Sequence, residues 1–467
     1  MSYTCGTAAG RMVALERLPV QLGGRHMKRN MVEGSIARAM VAFTVPLMLS
    51  GILQQLFNWV DAFIVGNVEG ELALAGIGAT TALYSLFVMV ITGFTGGLSV
   101  LAARAYGMGE QGGLSRLLSA FSLLLGGVFM AVAALGLILT PAILRAMDTP
   151  ADIFTVSERY LRIMFVGVPL LAVYNTYSAI LRGMGNSRAP FLSVLVCSGV
   201  NVVLDVAFVV VLRYGAAGAA AATVLSQGVM TVFLVLYAVK KYPVLRFRPG
   251  RGSVDRSVAA RGSGFGLPPA IQSGTNSVGN IFLQRFMNSF GEQTVAAITT
   301  AYRVDTVLLL PVINFGSGIA TVVAQNIGAG EPERARKALK TGAVMMAGIS
   351  LGLTVLILVA GEALIAMFGL TQESVTIGGS FFRTIASFYL VYSLAMALRG
   401  YLEGMGDMIF SGAAGIAALA VRIACSYAFA GVFGRKVIAY AEAFSWLVLL
   451  GVYLLRYIWV RRRERRK

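Results

Sequence analysis

One histidine and three cysteines in 467 residues leave little material for metal or redox chemistry. His26, Cys5, Cys197 and Cys425 are too scattered to form a ligand cluster or a disulfide framework. His26 also lies outside every long apolar run, which excludes a histidine proton relay within a membrane. Charge is scarce as well: 13% of residues are charged against 57% hydrophobic, and the mean hydropathy is +0.76. No ordinary soluble domain needs that balance, so the chain reads as a polytopic membrane protein. No GxxxxGK[ST] sequence occurs and no loop is long enough for a nucleotide-binding domain, so neither ATP hydrolysis nor an ATPase subunit is expected. The segment Gly107 to Gly112, GMGEQG, matches GxGxxG. It follows an apolar helix rather than a strand, and tight turns explain its glycines better than a dinucleotide does. Without histidine, a metal cluster or a soluble domain, an enzyme is not expected, and no cofactor beyond a coupling ion is called for.

Apolar segments recur near residues 41–66, 72–101, 118–140, 159–181, 190–212 and 217–239, then near 265–288, 295–324, 341–368, 380–398, 408–430 and 437–460. The two series are copies at a shift of about 221 residues: Gly70-Glu71 meets Gly291-Glu292, GMGE at 107 meets GAGE at 328, and GMG at 183 meets GMG at 404. The expected fold is all-α, with about twelve transmembrane helices in two pseudo-symmetric six-helix bundles at 35–239 and 265–460. Six helices per half make the copies parallel repeats about an axis along the membrane normal. A basic, Gly- and Pro-rich stretch, 240–264, reads as the linker. Residues 1–34 read as a basic extension without the apolar core of a secretory signal, with Met27 or Met31 as possible starts, and 461–467 as a basic tail. The net charge of +18 reflects Lys and Arg in short segments between spans, which is a topology signal and not a nucleic-acid footprint. Basic residues concentrate on one set of loops, so both termini and the linker are expected in the cytoplasm of a cell-membrane protein, with lipids as its surroundings.

Polar residues inside spans carry the functional expectation. A carboxylate at mid-membrane costs roughly 2.5–3.5 kcal/mol, so it faces a bundle interior or a wet cavity. Asp61 is such an acid; Gln54 and Asn58 share its helical face, and Pro46 removes a backbone donor on the same helix. Asn201 and Asp205 form an i, i+4 pair on the fifth helix, and Tyr160 and Thr223 fall at similar depth. Their repeat counterparts are Phe282, Arg422, Ser426, Phe381 and Phe444 for Asp61, Asn201, Asp205, Tyr160 and Thr223. This asymmetry argues for a cation site in the first bundle, one that suits a proton or Na+ held by Asp61, Asn201, Asp205 and Thr223. The plainer readings are an interfacial acid for Asp61, a structural pair for Asn201 with Asp205, a belt aromatic for Tyr160 and helix packing for Thr223. On the seventh helix Gln272, Asn276, Asn280 and Gln284 recur every four residues, lining a cleft or packing within the bundle. Arg285, Arg303, Asp305 and Arg422 also lie in or near spans. Arg303 with Asp305 reads as a neutralised structural cluster, or the arginines meet an anionic part of a substrate.

The span VPLMLSGILQQLFNWVDAFIVG, followed by GELALAGIGAT, and the repeat copy QNIGAGEPERARKAL resemble the multidrug and toxic compound extrusion (MATE) family over about residues 35–455. That resemblance implies a V-shaped pair of bundles expelling amphipathic, often cationic compounds by antiport with H+ or Na+. It also implies that Pro46, Asp61, Tyr160, Asn201, Asp205 and Thr223 match the family's N-terminal coupling site. Some members carry an acidic Na+ site in the second half; the matching region here offers Asn276 and Asn280 instead. A flippase for lipid-linked saccharides is the alternative, favoured if Arg285, Arg303 and Arg422 line the groove.

Overall fold

The computed structural model describes residues 31–247 and 255–466, so Cys5, His26, Met27 and the middle of the expected linker lie outside the described residues. Every regular element among the described residues is helical. The first lobe holds α1 (Ile36–Glu69), α2 (Glu71–Gly107), α3 (Gln111–Ala146), α4 (Ala151–Gly183), α5 (Arg188–Asp205) and α6 (Gly215–Lys241). The second holds α7 (Arg256–Asn288), α8 (Glu292–Leu308), α9 (Leu310–Gly328), α10 (Pro332–Ala366), α11 (Gln372–Ala386), α12 (Tyr389–Gly404), α13 (Met408–Ala428), the short α14 (Ala430–Phe433) and α15 (Val437–Arg465).

Ten helices among the described residues are long and apolar enough to cross a membrane, and α11 with α12, bent by 48°, supplies an eleventh span. α7, the repeat counterpart of α1, falls short of that apolarity, and its Gln272, Asn276, Asn280 and Gln284 lower its hydropathy. The eighth span is interrupted at Leu309, where Pro311 follows in the first turn of α9 and removes a backbone donor. Half of the expected linker is structured: α7 starts at Arg256, capped by Asp255, which accepts a bond from the Ser257 N–H at 2.8 Å.

Each lobe has its own core, built around Leu98, Phe121, Phe165 and Leu181 in the first and Ile319, Phe382, Tyr389 and Tyr453 in the second. The lobes join through backbone-to-backbone crossings at the end that carries the chain's first and last described residues. A Cβ on Gly107 would stand 2.0 Å from the Gln325 carbonyl oxygen, and one on Gly328 2.2 Å from the Arg104 carbonyl oxygen. These two contacts are the same contact in the two repeats. Glycines read from sequence as turn residues thus divide their work: Gly109 and Gly330, at φ 77° and 80°, make the turns, while Gly107 and Gly328 let the lobes touch. The Gln325 side-chain amide also donates to the Gly183 carbonyl at 2.7 Å.

Contact along α1 runs as far as Gly51, which meets Leu310. Beyond it Gln54, Leu56, Asn58 and Trp59 are exposed, as are Asn280, Ile281, Phe282 and Gln284 on α7. The lobes therefore form a V that opens on the face away from the termini. That α15 ends on the joined face follows from the Arg336–Glu464 ion pair at 3.0 Å, two residues from the bond between Arg334 and the Gly34 carbonyl.

Candidate functional site

Four helices of the first lobe bring the expected residues together. Asp61 comes from α1, Tyr160 from α4, Asn201 and Asp205 from α5, and Thr223 from α6. Asp205 is the last α-helical residue before a π-helical segment, Val206–Val211, which turns the backbone wide directly beside the carboxylate. Asp61, Asp205 and Tyr84 all lie within electrostatic range of Tyr160, and Asp61 within that of Asp205. Asn201 and Asp205 are 0% exposed.

What distinguishes this cluster is its unmade hydrogen bonds. Both carboxylate oxygens of Asp205, both polar atoms of the Asn201 amide, the Thr223 hydroxyl and one oxygen of Asp61 are buried without a partner. Each such neutral group costs about 1–3 kcal/mol and a charged one more, so a native fold keeps them together only where something recovers the cost. Nearly all are oxygens, from two carboxylates, an amide and a hydroxyl. This set fits a proton or a hard monovalent cation.

Pro46 stands apart. Fifteen residues separate it from Asp61, about 22 Å along a helix. Its carbonyl accepts a bond from the Ser50 hydroxyl at 2.9 Å, next to the lobe junction. Tyr84 and Gln227 escaped the sequence reading; the Gln227 amide donates to the Tyr84 hydroxyl at 3.1 Å beside Tyr160. Gln227 was legible as a polar residue inside the sixth apolar segment, whereas Tyr84 is an ordinary aromatic of a span.

The second lobe corrects three expectations: that the asymmetry between the repeats leaves buried acids only in the first, that Asp305 joins Arg303, and that Arg422 reaches a groove. Buried acids are not confined to the first repeat, because Asp305 and Glu442 are each 6% exposed. Asp305 does not pair with Arg303, which is exposed; the Tyr389 hydroxyl donates to it instead. Arg422 is also not available to a groove: it donates to the Tyr302 hydroxyl at 2.6 Å and to Glu442 at 3.1 Å, and Tyr302 in turn donates to Glu442 at 2.7 Å. Glu442 was legible by the rule that singled out Asp61, as an acid inside the last apolar segment. At a shift of about 221 residues Arg422 replaces Asn201 and Asp305 replaces Tyr84, so this cluster occupies the position of the first-lobe site. Its acids are satisfied; those of the first lobe are not. Removing one partner of such a buried pair leaves an uncompensated charge, so Arg422→Leu is expected to destabilise the protein by about 3–5 kcal/mol. Arg422→Leu combined with Glu442→Leu should recover much of that loss in a chemical unfolding series.

The polar stripe on α7 divides by depth. Gln272 is buried and accepts a bond from Arg399 at 3.1 Å, so it packs within the second lobe. Asn276 is half-buried, Asn280 and Gln284 are exposed, and the Gln284 amide donates to Asn288 at 2.9 Å. Gln54 and Asn58 on α1 are exposed, as is Arg285 on α7.

Set against known proteins, the MatE family profile matches residues 46–207 and 268–428, one stretch in each lobe. The chain belongs to the MatE family. This MatE chain is 27% identical over 377 residues to the "Probable multidrug resistance protein YpnP" of Bacillus subtilis, across 81% of the chain and 84% of that relative. It is 24% identical over 386 residues to the "Probable multidrug resistance protein NorM" of Thermotoga maritima, across 80% and 81% of the two chains. Among solved structures, it superposes on an outward-facing conformation of a multidrug resistance MATE family transporter of the MOP superfamily, with a TM-score of 0.86 at 21% identity, covering 94% and 98% of the two chains. It matches a MOP superfamily transporter from Pyrococcus furiosus with a TM-score of 0.84 at 22% identity, again over 94% and 98%. At such identity the likeness is one of fold. Membership makes the chain a multi-pass transporter rather than an enzyme.

Proposed function

We propose that this MatE transporter is a secondary antiporter that exports amphipathic, often cationic compounds in exchange for an inward H+ or Na+. The cation binds at Asp61, Asn201, Asp205 and Thr223, with Tyr160 closing the pocket. The observation that carries this reading is the group of buried, unpartnered oxygens in the first lobe, set against a second-lobe cluster whose acids both accept hydrogen bonds. The excess of Lys and Arg at the joined face argues that both termini are cytoplasmic, so the V opens outward, toward the source of the coupling ion. Amphipathic substrate leaves through the cleft between Gln54 and Asn58 on α1 and Asn276, Asn280 and Gln284 on α7. An inward potential of 100 mV contributes about 2.3 kcal/mol per charge moved across it. A cation on Asp61 and Asp205 changes what α1 packs against, and Pro46, placed where that helix leaves the lobe junction, gives it a place to bend.

In proteoliposomes with an imposed Na+ or pH gradient, wild-type protein is expected to move a fluorescent cationic amphiphile against its gradient. Asp61→Asn should reduce the gradient-dependent part at least tenfold. Unchanged coupled transport in that variant would remove Asp61 from the mechanism. The flippase reading loses one of its three groove arginines, because Arg422 is held by Glu442 and Tyr302.

A further inference from the structure

A wide-mouthed cavity of about 430 Å³ lies at the joined face, between the start of α1 and the first three turns of α10. Arg334, Lys337 and Lys340 line it from α10 at a spacing of three residues, so they share one face of the helix. Opposite them is the N-terminus of α1. There the Arg38 N–H is capped by the Ser35 side chain and the Ala39 N–H by the Ser35 carbonyl, which leaves the N–H groups of Ile36 and Ala37, two residues that line the cavity, without a partner inside the helix. The first turn of α1 contains no acid to offset the helix dipole. Charge on the α10 side is equally unbalanced. Glu333 pairs with Arg336, Glu33 forms no ion pair with the three cations, and Lys337 and Lys340 are exposed without a partner among the described residues. Arg334 uses one nitrogen on the Gly34 carbonyl at 2.8 Å, while its Nε is buried without a hydrogen-bond partner. A buried guanidinium donor left unmade, two free backbone donors and two unpaired ammonium groups around one cavity are the requirements of an oxyanion carrying more than one acceptor oxygen.

We infer that this cavity is a binding site for a phosphate group, either free or as the headgroup of an anionic phospholipid. It lies where two spans, α1 and α10, meet their first polar residues, which is the level of the headgroups. Because α1 belongs to one lobe and α10 to the other, an occupant ties the lobes together on their joined face and favours the conformation that opens on the other side.

Binding of three probes to the purified full chain in detergent, at fixed ionic strength, tests this site: dihexanoyl-phosphatidylglycerol, dihexanoyl-phosphatidylcholine and inorganic phosphate. Saturable binding of the phosphatidylglycerol analogue but not of the phosphatidylcholine one is expected. It should weaken at least tenfold in Lys337→Gln/Lys340→Gln and persist in Lys337→Arg/Lys340→Arg. Both lysines are exposed, so the fold is expected to survive either change. Binding of phosphatidylglycerol alone assigns the site to a lipid headgroup, and binding of phosphate as well assigns it to the phosphate itself. The inference fails if neither anion binds saturably, or if the glutamine variant binds as tightly as wild type.

Discussion

Asp205→Asn is expected to reduce cation-driven transport at least tenfold while leaving the purified protein as stable as before, or more stable by up to about 3 kcal/mol. The two effects have one cause. Asp205 is 0% exposed, both of its oxygens lack hydrogen-bond partners, and Asp61 stands close enough to repel its charge. A buried carboxylate in that state is a liability to the fold unless a cation joins it, so neutralising it removes both the cost and the binding site. Transport in proteoliposomes measures the loss, and thermal unfolding in detergent, with and without the coupling cation, measures the stability. Wild type should gain stability from the cation; Asp205→Asn should not. A variant that lost transport together with several kcal/mol of stability would instead mark Asp205 as a structural residue.

Gly97→Ala and Gly107→Ala are expected to separate the lobes at their joined face and to lower transport at least tenfold. An added Cβ at Gly97 would lie 1.9 Å from the Phe265 carbonyl oxygen, and at Gly107 2.0 Å from that of Gln325. Backbone carbonyls cannot swing aside as the end of a side chain can, so the helices must part, and dense packing passes that shift along α2 to the whole interface. Gly112→Ala is the control, because nothing lies within 4 Å of its added Cβ. Spin labels at Met108 and Glu331, both exposed near the crossing, report the separation by pulsed electron paramagnetic resonance. The distance should lengthen or broaden in Gly97→Ala and Gly107→Ala and stay as in wild type in Gly112→Ala. An unchanged distance in all three would mean that these crossings do not hold the lobes together.

Much of this was legible in the sequence because membranes penalise exceptions. Asp61, Asn201 and Asp205 stand out against apolar runs, and the repeat at about 221 residues allowed each to be compared with a residue in the same place. The physics that exposed them should equally have exposed Glu442, which a focus on the first repeat passed over. Other features had no local signal. Tyr84 is an ordinary aromatic of a span and becomes a neighbour of the site only when α2 and α6 meet. The bend between α11 and α12 has no proline at its break, Ser387-Phe388, whereas Pro311 announces the break before α9. Gly107 resembled a turn residue because it sits beside true turn glycines; that it touches the Gln325 carbonyl depends on how two lobes dock, which no window of sequence contains. Whether Asp305 joins Arg303 or Tyr389 likewise depends on helix rotation, and α8 turns Asp305 inward and Arg303 outward.

The two lobes contain their own control for the central claim that the unpartnered acids of the first lobe, and not the hydrogen-bonded acids of the second, hold the coupling ion. Equilibrium binding of radioactive Na+, with proton uptake followed in its absence, on purified Asp205→Asn and Glu442→Gln protein compares them directly. The account predicts saturable cation binding that disappears in Asp205→Asn and survives in Glu442→Gln. Binding that survives in Asp205→Asn, or that vanishes in Glu442→Gln alone, would contradict it.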